Sequence, residues 1–299
     1  MKVKDGIIGL IVGDALGVPV EFKRPEELLK NPVTDMIGHG TFNMPKGTWS
    51  DDSSMTIATM ASIIDKQSID YEDIMKKFSE FICNDKYTQH YTFDYGTTTI
   101  NAIDNYMNGV PALESGLDGE RSNGNGSLMR ILPLAFIPNI TYEEIENVSA
   151  LTHAHKRSKI ACVLYIEIAK SMLENDLTLK EHIQNACDKI RKYYNDCEEL
   201  QHFKRIFEND LDDVKSSGYV ITTFECVVHC LLTTDSYKEA VLKAVNFGGD
   251  TDTAAAICGG LAGIYYSYSN IPTEWIESID KIDTVFSLCE SFERFCDES

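Results

Sequence analysis

Residues Gly6 to Val20 read GIIGLIVGDALGVPV, a run that is apolar around most of a helical circumference. Two further segments share that character: Met55 to Ile64, MTIATMASII, and Ala254 to Tyr266, AAAICGGLAGIYY. A helix without a polar face belongs inside a bundle, so all three predict buried helices. Around them the dominant period is also helical. Leu179, Ile183, Ala186, Ile190, Tyr193, Cys197, Leu200 and Phe203 step by three or four along a charged background, which predicts a surface helix or two in sequence. Similar patterns run from Tyr71 to Ile82, Ser158 to Leu173, Tyr219 to Leu232 and Tyr237 to Val245. Period-two runs bounded by turn residues are almost absent. The expectation is an all-α fold in one domain, residues 1–299, with long loops at Arg24 to Thr48 and Pro111 to Asn125.

Of 299 residues, 47 are acidic and 27 basic, for a formal charge of -20. With 43% hydrophobic residues the chain has a globular composition, which excludes wholesale disorder. The acidity argues against sequence-independent binding to nucleic acid, which needs a basic face. Nine cysteines are scattered without a CxxC pair, and Cys226 and Cys230 have no similarly spaced partners for zinc. They read as reduced thiols in a core. Lys2 and Lys4 before the apolar run resemble a signal peptide, but Asp14 ends the run and no clean A-x-A pattern follows. No stretch approaches the length of a membrane span. These features predict a cytoplasmic protein.

Each of the three apolar segments sits beside carboxylates: Asp14 and Glu21 in the first, Asp51 and Asp52 before the second, Asp250 and Asp252 before the third. No Lys or Arg lies within four residues of Asp51, Asp52, Asp250 or Asp252. Burying a carboxylate is costly unless it is paired or bound to a metal. The strings Ser50-Asp51-Asp52-Ser53 and Asp250-Thr251-Asp252-Thr253 admit two readings. Asp, Ser and Thr cap helix starts. Adjacent carboxylates with a hydroxyl also supply the oxygen ligands of a hard cation such as Mg²⁺ or Mn²⁺. A helix N-terminus disfavours a cation, so several acids are needed to reverse the local field. If the strings met, their four carboxylates would repel strongly unless about two divalent ions lay between them.

At these residues the chain resembles the ADP-ribosylglycohydrolase family. Five strings carry the resemblance in the family's order: GLIVGDALGVPVEF from Gly9, GTWSDDSSM from Gly47, SNGNGSLMRILPLA from Ser122, LTHAH from Leu151, and NFGGDTDTAAAICGGLAG from Asn246. The resemblance implies a compact orthogonal helical bundle with a central dimetal site and hydrolysis of the bond joining the distal ribose of ADP-ribose to an acceptor. It implies two Mg²⁺ (or Mn²⁺) ions held by Ser50, Asp51, Asp52, Asp250, Asp252 and Thr253. Glu21 matches the family acid that handles the water, and Glu21, Asp51, Asp52 and Asp252 form the implied catalytic set. Positions 50 and 53 are Ser where many members have Thr, and Ser lacks the β-branch that restricts χ1.

The loop Ser122 to Ser127 precedes LMRILPLAF, read as a helix whose free N–H groups attract an anion. The resemblance assigns Ser122, Gly124, Asn125 and His153 to substrate binding, with Glu21, Tyr95 and Gly96. Arg130 holds either a phosphate or a buried acid, and His155 and Asp94 are secondary candidates. The expected partner is the ADP-ribose moiety of a modified protein, nucleic acid or small molecule. Two rivals remain at this stage: an all-α dimetal nucleotide pyrophosphohydrolase, and a non-catalytic ADP-ribose-binding member. In the former, acids usually come from helix faces at i, i+3 or i+4 spacing rather than from helix starts.

Overall fold

The computed structural model describes residues 2–298. Its helices are α1 (Val3–Gly17), α2 (Pro25–Lys30), α3 (Asp51–Lys66), α4 (Tyr71–Asn84), α5 (Thr97–Met107), α6 (Ala112–Ser115), α7 (Tyr142–Ala150) and α8 (Lys156–Glu174). They continue with α9 (Leu179–Tyr193), α10 (Lys204–Glu208), α11 (Val220–Leu232), α12 (Tyr237–Asn246), α13 (Thr251–Tyr266), α14 (Thr273–Ser278) and α15 (Ile282–Glu298). Among the described residues there is no strand, only isolated bridges such as Leu117 to His153 and Gly124 to Tyr219. The fold is all-α. No helix among the described residues is long and apolar enough to cross a membrane.

The three apolar runs become the interior. Every residue of α1 from Gly6 to Gly17 is buried, as is α13 from Thr251 to Ile264. Gly9, Gly13 and Gly17 fall on one stripe of α1, spaced by four, and that stripe meets α13. A Cβ on Gly13 would lie 2.1 Å from the carbonyl oxygen of Ala255, and one on Gly17 would lie 2.2 Å from Cα of Asp252. The two backbones are therefore in direct contact. Tyr237 Oη reinforces the crossing by donating to the Gly9 carbonyl at 2.7 Å, and Thr251 Oγ1 donates to Gly17 O at 2.8 Å. This packing sets the start of α13 against the end of α1.

Three local expectations change. LMRILPLAF is not an α-helix but two 3₁₀ turns, Leu128–Arg130 and Leu132–Phe136. Pro133 has no N–H to give to residue 129, so an i to i−4 ladder cannot run through it. The Leu179 to Phe203 pattern divides into α9, whose apolar face packs inward, and a 3₁₀ segment, Glu198–Phe203. Short helices α2 and α6 occupy parts of the two segments expected to be loops.

Adding a methyl at Gly17 forces α1 away from α13 at the acids. Gly17→Ala is expected to destabilise the protein by roughly 3 kcal/mol, the upper end of overpacking costs, with an unchanged denaturant slope. At Gly96 a Cβ meets nothing within 4 Å, so Gly96→Ala should leave the urea midpoint in place. Equal midpoints for both variants would contradict the backbone contact.

Candidate active site

Asp14 projects from α1 towards the start of α3. Its fully buried carboxylate accepts from the Ser50 N–H at 2.9 and 3.1 Å, from the Ser53 N–H at 3.0 Å, and from the Ser53 hydroxyl at 2.6 Å. Free N–H groups at a helix start need acceptors. Asp14 supplies one from another helix, which releases Asp51 and Asp52 from capping. Burial raises the Asp14 pKa to about 6, against the lowering effect of these hydrogen bonds.

The acids of the two strings converge. Oxygens of Asp14, Asp52 and Asp252 lie within 4.8 Å of one another, and so do those of Glu21, Asp250 and Asp252. Asp252 belongs to both groups. Hydroxyls and an amide hold the set: Ser50 Oγ and Thr253 Oγ1 donate to Asp52 Oδ2 at 2.9 and 3.3 Å, and Asn125 Nδ2 donates to Asp250 Oδ2 at 2.8 Å. Three buried oxygens have no hydrogen-bond partner: Glu21 Oε2, Asp52 Oδ1 and Asp252 Oδ2. No Lys, Arg or His among the described residues forms an ion pair with these five acids or with Asp51.

Burial is the first cause pushing up the pKa of each acid, and mutual repulsion adds to it. Glu21 is raised to about 11 by burial and then by the neighbouring Asp94 carboxylate. An all-oxygen, uncompensated acid cluster fits a hard divalent cation. The buried clusters can hold metal ions.

Above the acids opens a cavity of about 370 Å³. Glu21, Asp51, Asp250 and Thr253 form one part of its wall, and Tyr95, Gly96, Gly124, Asn125 and His153 line it as well. Ser122 does not: it ends the turn Glu120–Ser122, off the cavity wall. His155 is also elsewhere, capping α8 through Arg157 N–H and facing Glu120 at 3.5 Å. Asp94 and Phe22 do line the cavity. Asp14 lies outside the ligand set expected from sequence, and its one sequence signal was a carboxylate inside an apolar run.

Arg130 takes neither expected role. It is fully buried, 4.6 Å over the Phe78 ring, and donates from Nη2 to Val148 O at 3.2 Å and to Thr152 Oγ1 at 2.8 Å. A guanidinium only donates, so the Thr152 hydroxyl accepts there, and its single proton is left for His153 Nδ1, 2.8 Å away, an arrangement that favours the tautomer with the ring proton on Nε2. Burial, then Arg130, lowers its pKa to about 3, so the ring is neutral. A Cβ on Gly126 would lie 2.8 Å from His153 Cε1, which is why the loop over this ring carries glycine.

The family model described as ADP-ribosylglycohydrolase matches residues 1–298. The chain belongs to the ADP-ribosylglycohydrolase family. An ADP-ribosylarginine hydrolase of Serratia proteamaculans is 28% identical over 97% of this chain and 78% of that protein. An ADP-ribosyl-[dinitrogen reductase] glycohydrolase of Rhodospirillum rubrum is 29% identical over 91% of this chain and 88% of its own length. A solved structure titled ADP-ribosylglycohydrolase-related protein complex superposes with a TM-score of 0.84 at 23% identity, covering 99% of this chain and 98% of that one, and it confirms the fold. As a member of the ADP-ribosylglycohydrolase family the chain is a glycosidase-type hydrolase, and the family's reaction is removal of ADP-ribose from acceptors.

Two measurements check the site. A carboxyl whose folded pKa is raised costs no stability below its unfolded value, here 3.8, and costs progressively more as pH rises towards the folded value. In EDTA, Asp252→Asn should therefore melt above the unaltered protein at pH 7, with an advantage that shrinks towards pH 4. Saturating Mg²⁺ or Mn²⁺ should reverse the order. Separately, ¹⁵N-resolved NMR of His153 should show an Nε2–H neutral ring from pH 5 to 8, and Thr152→Val should disturb that tautomer.

Proposed function

We propose that the chain hydrolyses the bond between C1 of the distal ribose of ADP-ribose and an acceptor, with two Mg²⁺ (or Mn²⁺) ions. The three partnerless carboxylate oxygens of Glu21, Asp52 and Asp252 carry this reading. Two overlapping acid groups that share Asp252 favour two ions over one. Asp14, Asp51, Asp52, Asp250 and Asp252 would hold them, with Ser50 and Thr253 contributing hydroxyl oxygens. When bound, such ions supply Lewis-acid polarisation of substrate oxygens.

The chain's own groups do the remaining work. Glu21, ionised once bound cations offset the burial and the neighbouring acids that raise its pKa, would take a proton from the attacking water, whose oxygen stays on C1, and that proton ends on the departing acceptor atom. Asp51, Asp52 and Asp252 stabilise positive charge as it develops at C1. His153 presents a fixed Nε2–H donor to the diphosphate or ribose, while Gly124 lets the substrate approach the backbone. Asn125 holds Asp250 in position, and Tyr95 and Gly96 bound the substrate's side of the cavity.

The acceptor we propose is the guanidine of arginine. Relatives in Serratia proteamaculans and Pseudomonas putida, at 28% and 27% identity, are named ADP-ribosylarginine hydrolases. The cavity wall carries Glu21, Asp51, Asp94 and Asp250 with no Lys or Arg, which suits a cationic leaving group.

ADP-ribosylarginine incubated with the protein and Mn²⁺ or Mg²⁺ should release intact ADP-ribose, and EDTA should stop it. Asp252→Asn should lower kcat by about 100-fold or more. AMP released from ADP-ribose would identify a pyrophosphohydrolase instead. Tight ADP-ribose binding without turnover at saturating metal would identify a non-catalytic member.

A further inference from the structure

We infer that the exposed ring of Phe22 and the carboxylate of Asp94 form an acceptor subsite, which takes a guanidinium between an aromatic face and a negative charge and makes Phe22 a specificity-determining residue. This inference rests on the hydrolase reading above.

Phe22 is a bulky residue held where such residues rarely sit. Its φ is +63°, and its side chain is 67% exposed on the wall of the active-site cavity. The conformation is pinned from both sides: Phe22 N–H donates to Gly249 O and Gly249 N–H donates to Lys23 O, each at 2.8 Å. Thr41 Oγ1 adds a bond to Glu21 O at 2.7 Å. The strained corner is thus tied to the residue before Asp250. Burial of the ring does not account for it, since the ring stays largely in solvent. An observed outlier beside reacting groups points to a use for what it displays.

A second corner lines the same cavity. Asp94 also has positive φ, +58°, and its carboxyl lies within hydrogen-bonding reach of Glu21. The next residue, Tyr95, exposes another ring at 44%. Each corner therefore presents an acid followed by an aromatic. A small apolar cluster of Val18, Met44 and Phe93, with Phe42 packed against it, holds the two corners together apart from the main core. Phe42 contacts both sides, its ring centroid 6.3 Å from Phe22 and 4.9 Å from Phe93.

The chemistry of this mouth selects its ligand. Glu21 is 96% buried by its 4% exposure and has a partnerless oxygen. Asp94 places a second carboxyl next to it, so this end of the cavity favours a cation over an anion. Exposed aromatic faces attract planar cations, and guanidinium more than most, since it stacks and hydrogen-bonds at once. Phe22 and Asp94 are, respectively, the chain neighbour and the side-chain neighbour of the acid assigned to the water, and both line the same cavity, so they border the reacting centre. A hydroxyl acceptor gains little from either group.

The test compares the unaltered protein with Phe22→Leu and Phe22→Tyr, with Mn²⁺ present. It reads kcat/KM on ADP-ribosylarginine and on an ADP-ribosylserine peptide, and Kd for free ADP-ribose by calorimetry. Phe22→Leu keeps bulk and removes the π face. It should lose roughly 3- to 30-fold in kcat/KM on the arginine substrate with an unchanged Kd for ADP-ribose, and Phe22→Tyr should retain arginine activity. A matching loss of ADP-ribose affinity, or no loss on arginine, overturns the subsite and leaves the hydrolase reading standing. Cleavage of the serine-linked substrate alone by the unaltered protein does the same. Release from neither substrate by the unaltered protein overturns the hydrolase reading and the subsite with it.

Discussion

The structure depends on placing mutually repelling carboxylates in its dry centre and keeping them there. Asp14, Asp52 and Asp252 are fully buried, and no basic side chain among the described residues pairs with them. Left alone, such groups would separate or draw water inward. What prevents separation is the direct backbone contact of α1 with α13 along Gly9, Gly13 and Gly17, which fixes oxygens of Asp14 and Asp252 on opposing helices within 4.8 Å of each other. Packing thus pre-pays the approach of like charges, a cost that a metal ion bound among them would recover.

The division of labour between Asp14 and the S-D-D string follows from the same geometry. A helix start carries partial positive charge and needs acceptors for its free N–H groups. Were Asp51 or Asp52 to fill that need, their oxygens would turn back on the helix. Asp14 accepts from Ser50 and Ser53 instead, so the acids of α3 are free to face the cavity and Asp252. The hydroxyl of Ser53, which lacks the β-branch of Thr, is fixed by the strong acceptor Asp14 at 2.6 Å.

Much of this was legible in the sequence because it is written locally. Helices without a polar face have to be interior, and acids without nearby bases at their starts have to find a cation or one another. What escaped is long-range. Asp14 caps a helix 36 residues away, and nothing in its own neighbourhood announces that partner. Arg130 was weighed as a phosphate or acid ligand, yet its partners are a carbonyl, a hydroxyl and the Phe78 ring. Its influence reaches the cavity only through Thr152 and His153, a relay that needs coordinates to see. LMRILPLAF looked helical by composition, and one proline decided otherwise.

The two halves of the site are built on separate foundations, and this bears on how acceptor choice changes. The acids stand on α1, α3 and α13, where each glycine of the crossing touches backbone and a single methyl would displace a carboxylate. Phe22, Asp94 and Tyr95 stand on loops whose shared support is the satellite cluster of Val18, Met44, Phe93 and Phe42. A substitution there alters what the mouth presents without moving α13 against α1. Core positions couple strongly to their neighbours, whereas loop positions on a rigid scaffold vary at little cost. A glycosidase assembled this way can vary what its cavity mouth presents while the acids stay where the helices hold them.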